Sequence, residues 1–173
     1  IMVRESLKQV LGSEYAKGVW LDFGSGPAKL LEFIQPEEYL AVDAREDVVK
    51  LLKDRGIDAR TTLPEYSQPE YSQPEYSQFS VVLALGACSE RWDDMPAHAW
   101  VTEGKHTFVL LWKLTDRAMV FNVPRKETDI KPDKSLVQYS MHDVFDIVEV
   151  CKPRVFTVDT TMLPHQYFVT MFK

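Results

Sequence analysis

The sequence is short of several things, and each shortage excludes something. Only two cysteines occur in 173 residues, Cys88 and Cys151. They form no Cys-x-x-Cys pair and no Cys/His cluster, which argues against a structural zinc site. Two isolated thiols fit a reducing compartment, so a cytoplasmic location is expected, while a disulfide between them stays open at this point. No apolar run nears the roughly 20 residues that a membrane-spanning helix needs, so no membrane association is expected. The opening residues do not read as a secretory leader. Positive charge is scarce as well: 20 Lys and Arg stand against 26 Asp and Glu, a net charge of −6. Nucleic-acid binders usually carry a basic patch. The basic residues here are scattered, so DNA or RNA is not the expected partner, and small molecules and proteins remain.

What is present is ordinary globular material, 45% hydrophobic and 27% charged, in a length that fits one domain over residues 1–173. Arg4 to Leu11 reads as a short helix with Leu7, Val10 and Leu11 on one side, ended by Gly12. Val19 to Phe23 is a short apolar run bounded by glycines, a buried strand. Gly24 to Pro27 must turn, and Pro27 suits the first turn of a helix over Lys29 to Ile34. Tyr39 to Asp43 is a second strand, Glu46 to Arg55 a helix stopped by Gly56, and Asp58 to Thr62 a third strand. Phe79 to Leu85 is a fourth. A helix over Glu103 to Thr115, a strand over Ala118 to Val123 and a helix over Ser140 to Val150 follow. Two strands, Arg154 to Thr161 and Gln166 to Phe172, close the chain as a hairpin. Strands that are apolar throughout and alternate with helices predict a doubly wound, mostly parallel α/β sheet with helices on both faces.

Residues 64–78 are three perfect copies of Pro-Glu-Tyr-Ser-Gln. Removal of two copies would leave an ordinary connection, so the array reads as a tandem expansion of a loop. Loop closure entropy grows only logarithmically with length, so such an expansion costs little.

The chemistry concentrates in Val19-Trp20-Leu21-Asp22-Phe23-Gly24-Ser25-Gly26-Pro27, followed by Val42-Asp43. Glycines after a first strand let the backbone pass close to a ligand. Asp43 stands at the end of the second strand, where its carboxylate can accept hydrogen bonds from two ribose hydroxyls. Nucleotide-type ligands sit at the carboxyl ends of such strands. The dinucleotide fingerprint Gly-x-Gly-x-x-Gly fails, because Lys29 occupies the third small position. Asp22, two residues before Gly24, would face a pyrophosphate badly. It suits a ligand with an ammonium and a sulfonium but no phosphate, and S-adenosylmethionine (SAM) is such a ligand.

Leu-Asp-Phe-Gly-Ser-Gly-Pro resembles motif I of the class I SAM-dependent methyltransferases, and Val-Asp-Ala resembles their motif II. Phe79 to Gly86 resembles their fourth strand, and Leu163-Pro164-His165-Gln166-Tyr167-Phe168 the closing hairpin of small bacterial or phage-type members. The resemblance runs from Val19 to Lys173 and implies seven strands in the order 3-2-1-4-5-7-6. It implies that Gly24, Ser25 and Gly26 line the methionine end of SAM, that Asp22 sits near its amino group, and that Asp43 holds the ribose hydroxyls. Ala44 would flank the adenine and Leu85 would touch the cofactor through its backbone. Ala28 replaces the third glycine common in motif I. Family members often carry extra N-terminal helices over the substrate. The segment before Val19 is short, so the acceptor site is expected to be open or completed by a second subunit, as in a homodimer.

Methyl transfer displaces an already activated sulfonium, so alignment alone can supply much of the rate, and an oxygen nucleophile benefits from a base. The loops after strands four, five and six carry Cys88, Ser89, Glu90 and Arg91, then Asn122 and Arg125, then His165. His165 is the leading candidate base. His98 and His106 are less well placed, and His142 reads as a helix-surface residue. Cys88 lacks the preceding proline of a cytosine methyltransferase, so it reads as a structural thiol. No Asn/Asp-Pro-Pro-aromatic motif follows strand four, which argues against DNA amino-methylation. The expected function is methyl transfer from SAM to a small-molecule or other non-nucleic-acid acceptor. The alternatives are a non-catalytic protein of the same fold and, further off, an NAD(P)-dependent oxidoreductase.

Overall fold

The computed structural model describes residues 2–63, 79–90, 95–128, 135–161 and 163–173. The Pro-Glu-Tyr-Ser-Gln array and Arg91 lie outside the described residues. Helix α1 (Met2–Leu11) is followed by β1 (Val19–Phe23), β2 (Glu38–Val42), α2 (Glu46–Asp54) and β3 (Asp58–Arg60). Then come β4 (Phe79–Leu85), α3 (Ala97–Leu114), β5 (Thr115–Pro124), α4 (Met141–Cys151), β6 (Val155–Asp159) and β7 (Gln166–Phe172). The strands form one seven-stranded sheet in the order β3-β2-β1-β4-β5-β7-β6, as expected. Strands β1 to β5 pair in parallel, and β7 lies antiparallel between β5 and β6.

Period-2 alternation sends successive strand residues to opposite faces. On one face, Leu21, Val82, Ala84, Met119, Phe121 and Val169 pack under Phe108 and Leu111 of α3 and Val144 and Ile147 of α4. On the other face, Trp20, Val81, Leu83, Ala118 and Val120 lie under Val3 and Leu7 of α1. Ala41 and Ala59 lie under Val48, Val49 and Leu52 of α2. Because the central strands are covered on both sides, they read as continuous apolar runs.

Local differences from the sequence reading have local causes. The buried side of α1 is Val3, Leu7 and the half-buried Leu11, an i, i+4, i+8 stripe, while Val10 is exposed. The helix expected over Lys29 to Ile34 is only a 3-10 turn, Lys29–Glu32. Ala28 enters it in the left-handed conformation (φ 51°, ψ 40°), which cannot serve as a first helical turn, and Pro36 lies close beyond. Helix α3 begins at Ala97, directly after Pro96, rather than at Glu103. Helix α4 starts at a capping box: Ser140 Oγ accepts from Asp143 N–H, and the Asp143 carboxylate accepts from Ser140 N–H. This satisfies two helix-end donors at once.

The join between α3 and the loop after β4 is closely packed. Tyr139 is fully buried, and its hydroxyl donates to Cys88 O at 3.1 Å. A Cβ on Gly104 of α3 would collide with that hydroxyl. Gly104→Ala should therefore cost about 1–3 kcal/mol of stability, the usual scale of overpacking. Urea unfolding should show a lowered midpoint at constant slope; an unchanged midpoint would mean that the Tyr139 ring shifts freely.

Candidate functional site

Leaving β1, the chain takes positive φ at Gly24 (71°), Gly26 (50°) and Ala28 (51°). The resulting loop is tied to β2 at three points. Gly24 N–H and Ser25 N–H both donate to Val42 O, at 2.7 and 3.2 Å. Gly26 N–H donates to Asp43 Oδ2 at 2.8 Å. From α2, Arg55 Nη1 donates to Pro27 O at 2.6 Å. At Gly24 two demands coincide: the left-handed backbone, and a neighbour, Ala87, whose Cβ would stand 3.0 Å from any added Cβ. Only glycine meets both without displacement.

The structure thus brings Asp22, Gly24, Ser25, Gly26 and Asp43 together at the carboxyl ends of β1 and β2. The half-buried Asp43 also accepts from Arg45 N–H through Oδ1, at 3.0 Å. Each of its oxygens therefore has one protein donor and one lone-pair direction to spare. Ala44, the next residue, is exposed. Leu85 ends β4 beside this loop, and sheet order reverses between β1 and β4. That reversal is the switch point at which open α/β sheets bind ligands.

Asp22 is only 4% exposed. Its Oδ2 accepts a short hydrogen bond from the hydroxyl of Tyr39. Burial pushes the Asp22 carboxyl up to about 6, with the Asp43 charge adding to the rise and the Tyr39 hydrogen bond opposing it. Burial, then the Asp22 charge, likewise raise the Tyr39 hydroxyl. Sequence reasoning missed Tyr39. The alternation that puts Trp20 and Asp22 on one face of β1 was legible, but the register that sets Tyr39 opposite Trp20 was not.

The loops beyond β4 are laced together. Gly86 N–H donates to Asn122 Oδ1 at 2.6 Å, and Asn122 Nδ2 donates to Gln166 Oε1, so one side chain joins the ends of β4, β5 and β7. Val137 N–H donates to Ser89 O, Tyr139 N–H to Pro124 O, and Lys126 N–H to Tyr139 O. The bracing roles of Gln166 and Tyr139 could not be read from the sequence, since their partners lie far away along the chain. Cys88 and Cys151 are both free thiols. Burial, partly opposed by a hydrogen bond with Thr107, pushes the Cys88 thiol up to about 11. It is protonated at neutral pH and a poor nucleophile.

His165 lies on the same carboxyl edge, because the neighbouring Gln166 pairs with Pro124 at the end of β5. Its carbonyl accepts from Arg125 N–H at 2.9 Å and its side chain is exposed. With β4 and β5 between β1 and β7, strand spacing alone separates it from the Gly24 loop by about 14 Å. His106 and His142 are exposed on helices, and His142 lies 3.7 Å from Asp146. His98 lines a cleft near the start of α3. Among the described residues, no group of three His, Cys, Asp or Glu side chains is arranged to hold a metal ion. A cleft of about 590 Å³, lined by Val19, Glu38, Leu40, Asp58 and Phe79, lies toward the amino-terminal ends of the strands, away from the Gly24 loop.

With this geometry in view, comparison with solved structures is decisive for the fold. The chain has the class I methyltransferase fold. Magnesium protoporphyrin IX methyltransferase from Synechocystis PCC 6803, solved with bound S-adenosylhomocysteine, matches 99% of this chain over 81% of its own length at a TM-score of 0.64 and 13% identity. A SAM-dependent methyltransferase from Archaeoglobus fulgidus matches 99% of this chain over 93% of its own, with a TM-score of 0.59 and 13% identity. The YcgJ protein of Bacillus subtilis matches over 98% of both chains at a TM-score of 0.61 and 12% identity. No protein-family model matches the chain, and no curated protein does. Among the described residues, no helix is long and apolar enough to cross a membrane.

The buried carboxyl of Asp22 makes stability depend on pH. It binds its proton more tightly in the folded protein (about 6) than at its ordinary 3.8. This contribution is fully present below about pH 4 and is lost as pH rises through 6. At neutral pH the ionised group costs on the order of 3 kcal/mol. Asp22→Asn keeps an acceptor for Tyr39, so it should raise stability by about 1–3 kcal/mol at neutral pH and flatten the fall that accompanies its ionisation. Urea unfolding across that range checks this; an identical profile in the variant would assign the pH dependence to another group.

Proposed function

We propose that this chain binds SAM in the Gly24–Asp43 loop and transfers its methyl group to a small-molecule or other non-nucleic-acid acceptor. The observation that carries the reading is the joining of the Gly24 loop to Asp43, with Gly26 N–H on the carboxylate, at the switch point of a methyltransferase fold. The described residues fit the cofactor. Gly24 and Gly26 offer backbone without side chains for the methionine end. Asp43 has lone pairs left for two ribose hydroxyls. Asp22 is a buried carboxyl without a cationic partner among the described residues, and an ammonium beside it would lower its pKa and stabilise its charge. Ala44 and the backbone of Leu85 complete the candidate contacts on the adenine and β4 sides.

SAM supplies an activated methyl group, which leaves little bond chemistry for the protein. The task of this chain is to hold donor and acceptor in line and to keep water out. His165 is our candidate for the general base toward an oxygen or nitrogen acceptor. It stands exposed on the same carboxyl edge as the Gly24 loop, and as a base it would have to reach the attacking atom directly or through one water. Two structural neighbours, the Synechocystis and Archaeoglobus proteins, are methyltransferases by their descriptions, which supports the reaction class for this chain without indicating its acceptor.

Calorimetric titration of the full chain with SAM and with S-adenosylhomocysteine tests the reading. Saturable binding is expected, weakened about tenfold or more in Asp43→Ala, the scale of losing one or two hydrogen bonds. Absence of binding at millimolar ligand would turn the reading to a non-catalytic protein that keeps the fold alone.

A further inference from the structure

A second cleft, of about 580 Å³, opens on the carboxyl edge between α3 and α4. Its walls come from elements that start or end there: α3 emerges from the loop after β4, Lys126 follows the end of β5, and Asp143 lies in the first turn of α4. Its volume is that of a small-ligand site. Val101 supplies apolar wall, while Thr102, Lys105, Lys126, Gln138 and Asp143 supply polar groups.

The charges of the cleft divide sharply into engaged and unengaged. Lys105 Nζ is held by Asp143 Oδ1 at 2.8 Å and Asp146 Oδ2 at 2.6 Å. Asp143 in turn accepts from Ser140 N–H and Ser140 Oγ. Thr102 Oγ1 donates to His98 O, and Gln138 Nε2 to Arg125 O. Lys126 uses its backbone N–H on Tyr139 O, but its exposed ammonium has no acidic partner among the described residues. In a chain of net charge −6, Lys126 is thus a cation without an acidic partner among the described residues, at a cleft that Val101 also lines.

We propose that this cleft binds a small organic acid, an apolar ring or chain ending in a carboxylate, with the anion paired to Lys126. The proposal rests on the methyltransferase reading only in taking that acid to be the methyl acceptor. A lone ammonium is a point charge that a carboxylate satisfies, and the neighbouring Asp143 and Asp146 carboxylates disfavour a more highly charged anion. A neutral amide of the same shape gains no ion pair there.

The test is titration of the full chain with 4-hydroxybenzoate, indole-3-acetate and octanoate, each beside its amide, followed by calorimetry and by amide shifts of residues 101, 102 and 138. At least one acid should bind, its amide about threefold to fivefold more weakly, the upper scale for one exposed ion pair. Lys126→Gln should weaken the acid to the level of the amide, Lys126→Arg should retain it, and SAM affinity should stay constant in both variants. Equal affinity for acid and amide, indifference to Lys126→Gln, or no binding of any acid at millimolar concentration would overturn the proposal. Acid binding in a protein that binds neither SAM nor S-adenosylhomocysteine would sink the methyltransferase reading and leave the cleft standing.

Discussion

The parallel pairing of β1 with β4 is the constraint from which the carboxyl edge follows. Trp20 lies beside Val81, Leu21 beside Val82 and Asp22 beside Leu83. The sheet grows outward from this pair in both directions, so the loops that leave β1 and β4 diverge with no strand between them. Both faces of the pair are fully buried, Leu21 and Val82 on one side, Trp20 and Val81 on the other. Removing that apolar surface from water, at roughly 25 cal/mol per Å², holds the strand ends in place. Gly24 and Ala87 meet as a consequence, and the candidate cofactor loop inherits its shape from the core beneath it.

Asp22 is a carboxyl that costs stability where it sits. The pleat that buries Trp20 also buries Asp22, one step from the strand end. A carboxylate there is disfavoured by desolvation and relieved in part by Tyr39. Such a group has an unmet attraction for a cation, and perturbed buried carboxyls of this kind gather at functional sites. Under the proposed function, the ligand's own ammonium supplies the missing charge. The strain is then local to the ligand-free protein.

The edge beyond β4 is built differently. No glycine-rich cradle exists there; instead Asn122 binds Gly86 and Gln166, and residues 137–139 lace the loops after β4 and β5. Hydrogen bonds of this kind add little net stability one by one but fix direction. They form a hydrogen-bonded border between the candidate cofactor loop and the cleft that carries Lys126. Under the proposed function, donor and acceptor would stand on one sheet edge but on separately braced loops, an arrangement suited to holding two reactants in register.

Much of this was legible in the sequence because it is local. The glycine turn after an apolar strand, the acid closing the second strand and the alternation of strand and helix all depend on neighbours along the chain, and the resemblance carried the strand order. Where a boundary moved, the cause was also short-range but conformational: left-handed Ala28 reduces the expected helix over Lys29 to Ile34 to a 3-10 turn, and Pro96 sets the start of α3. The rest depended on register and crossover. Tyr39 reaches Asp22 only because β2 pairs with β1 as it does, Asn122 meets Gly86 and Gln166 across three strands, and Tyr139 closes on Cys88 and Gly104 from another loop. Periodicity and turn chemistry say which face a residue takes, but only the packed sheet decides which distant residue it faces.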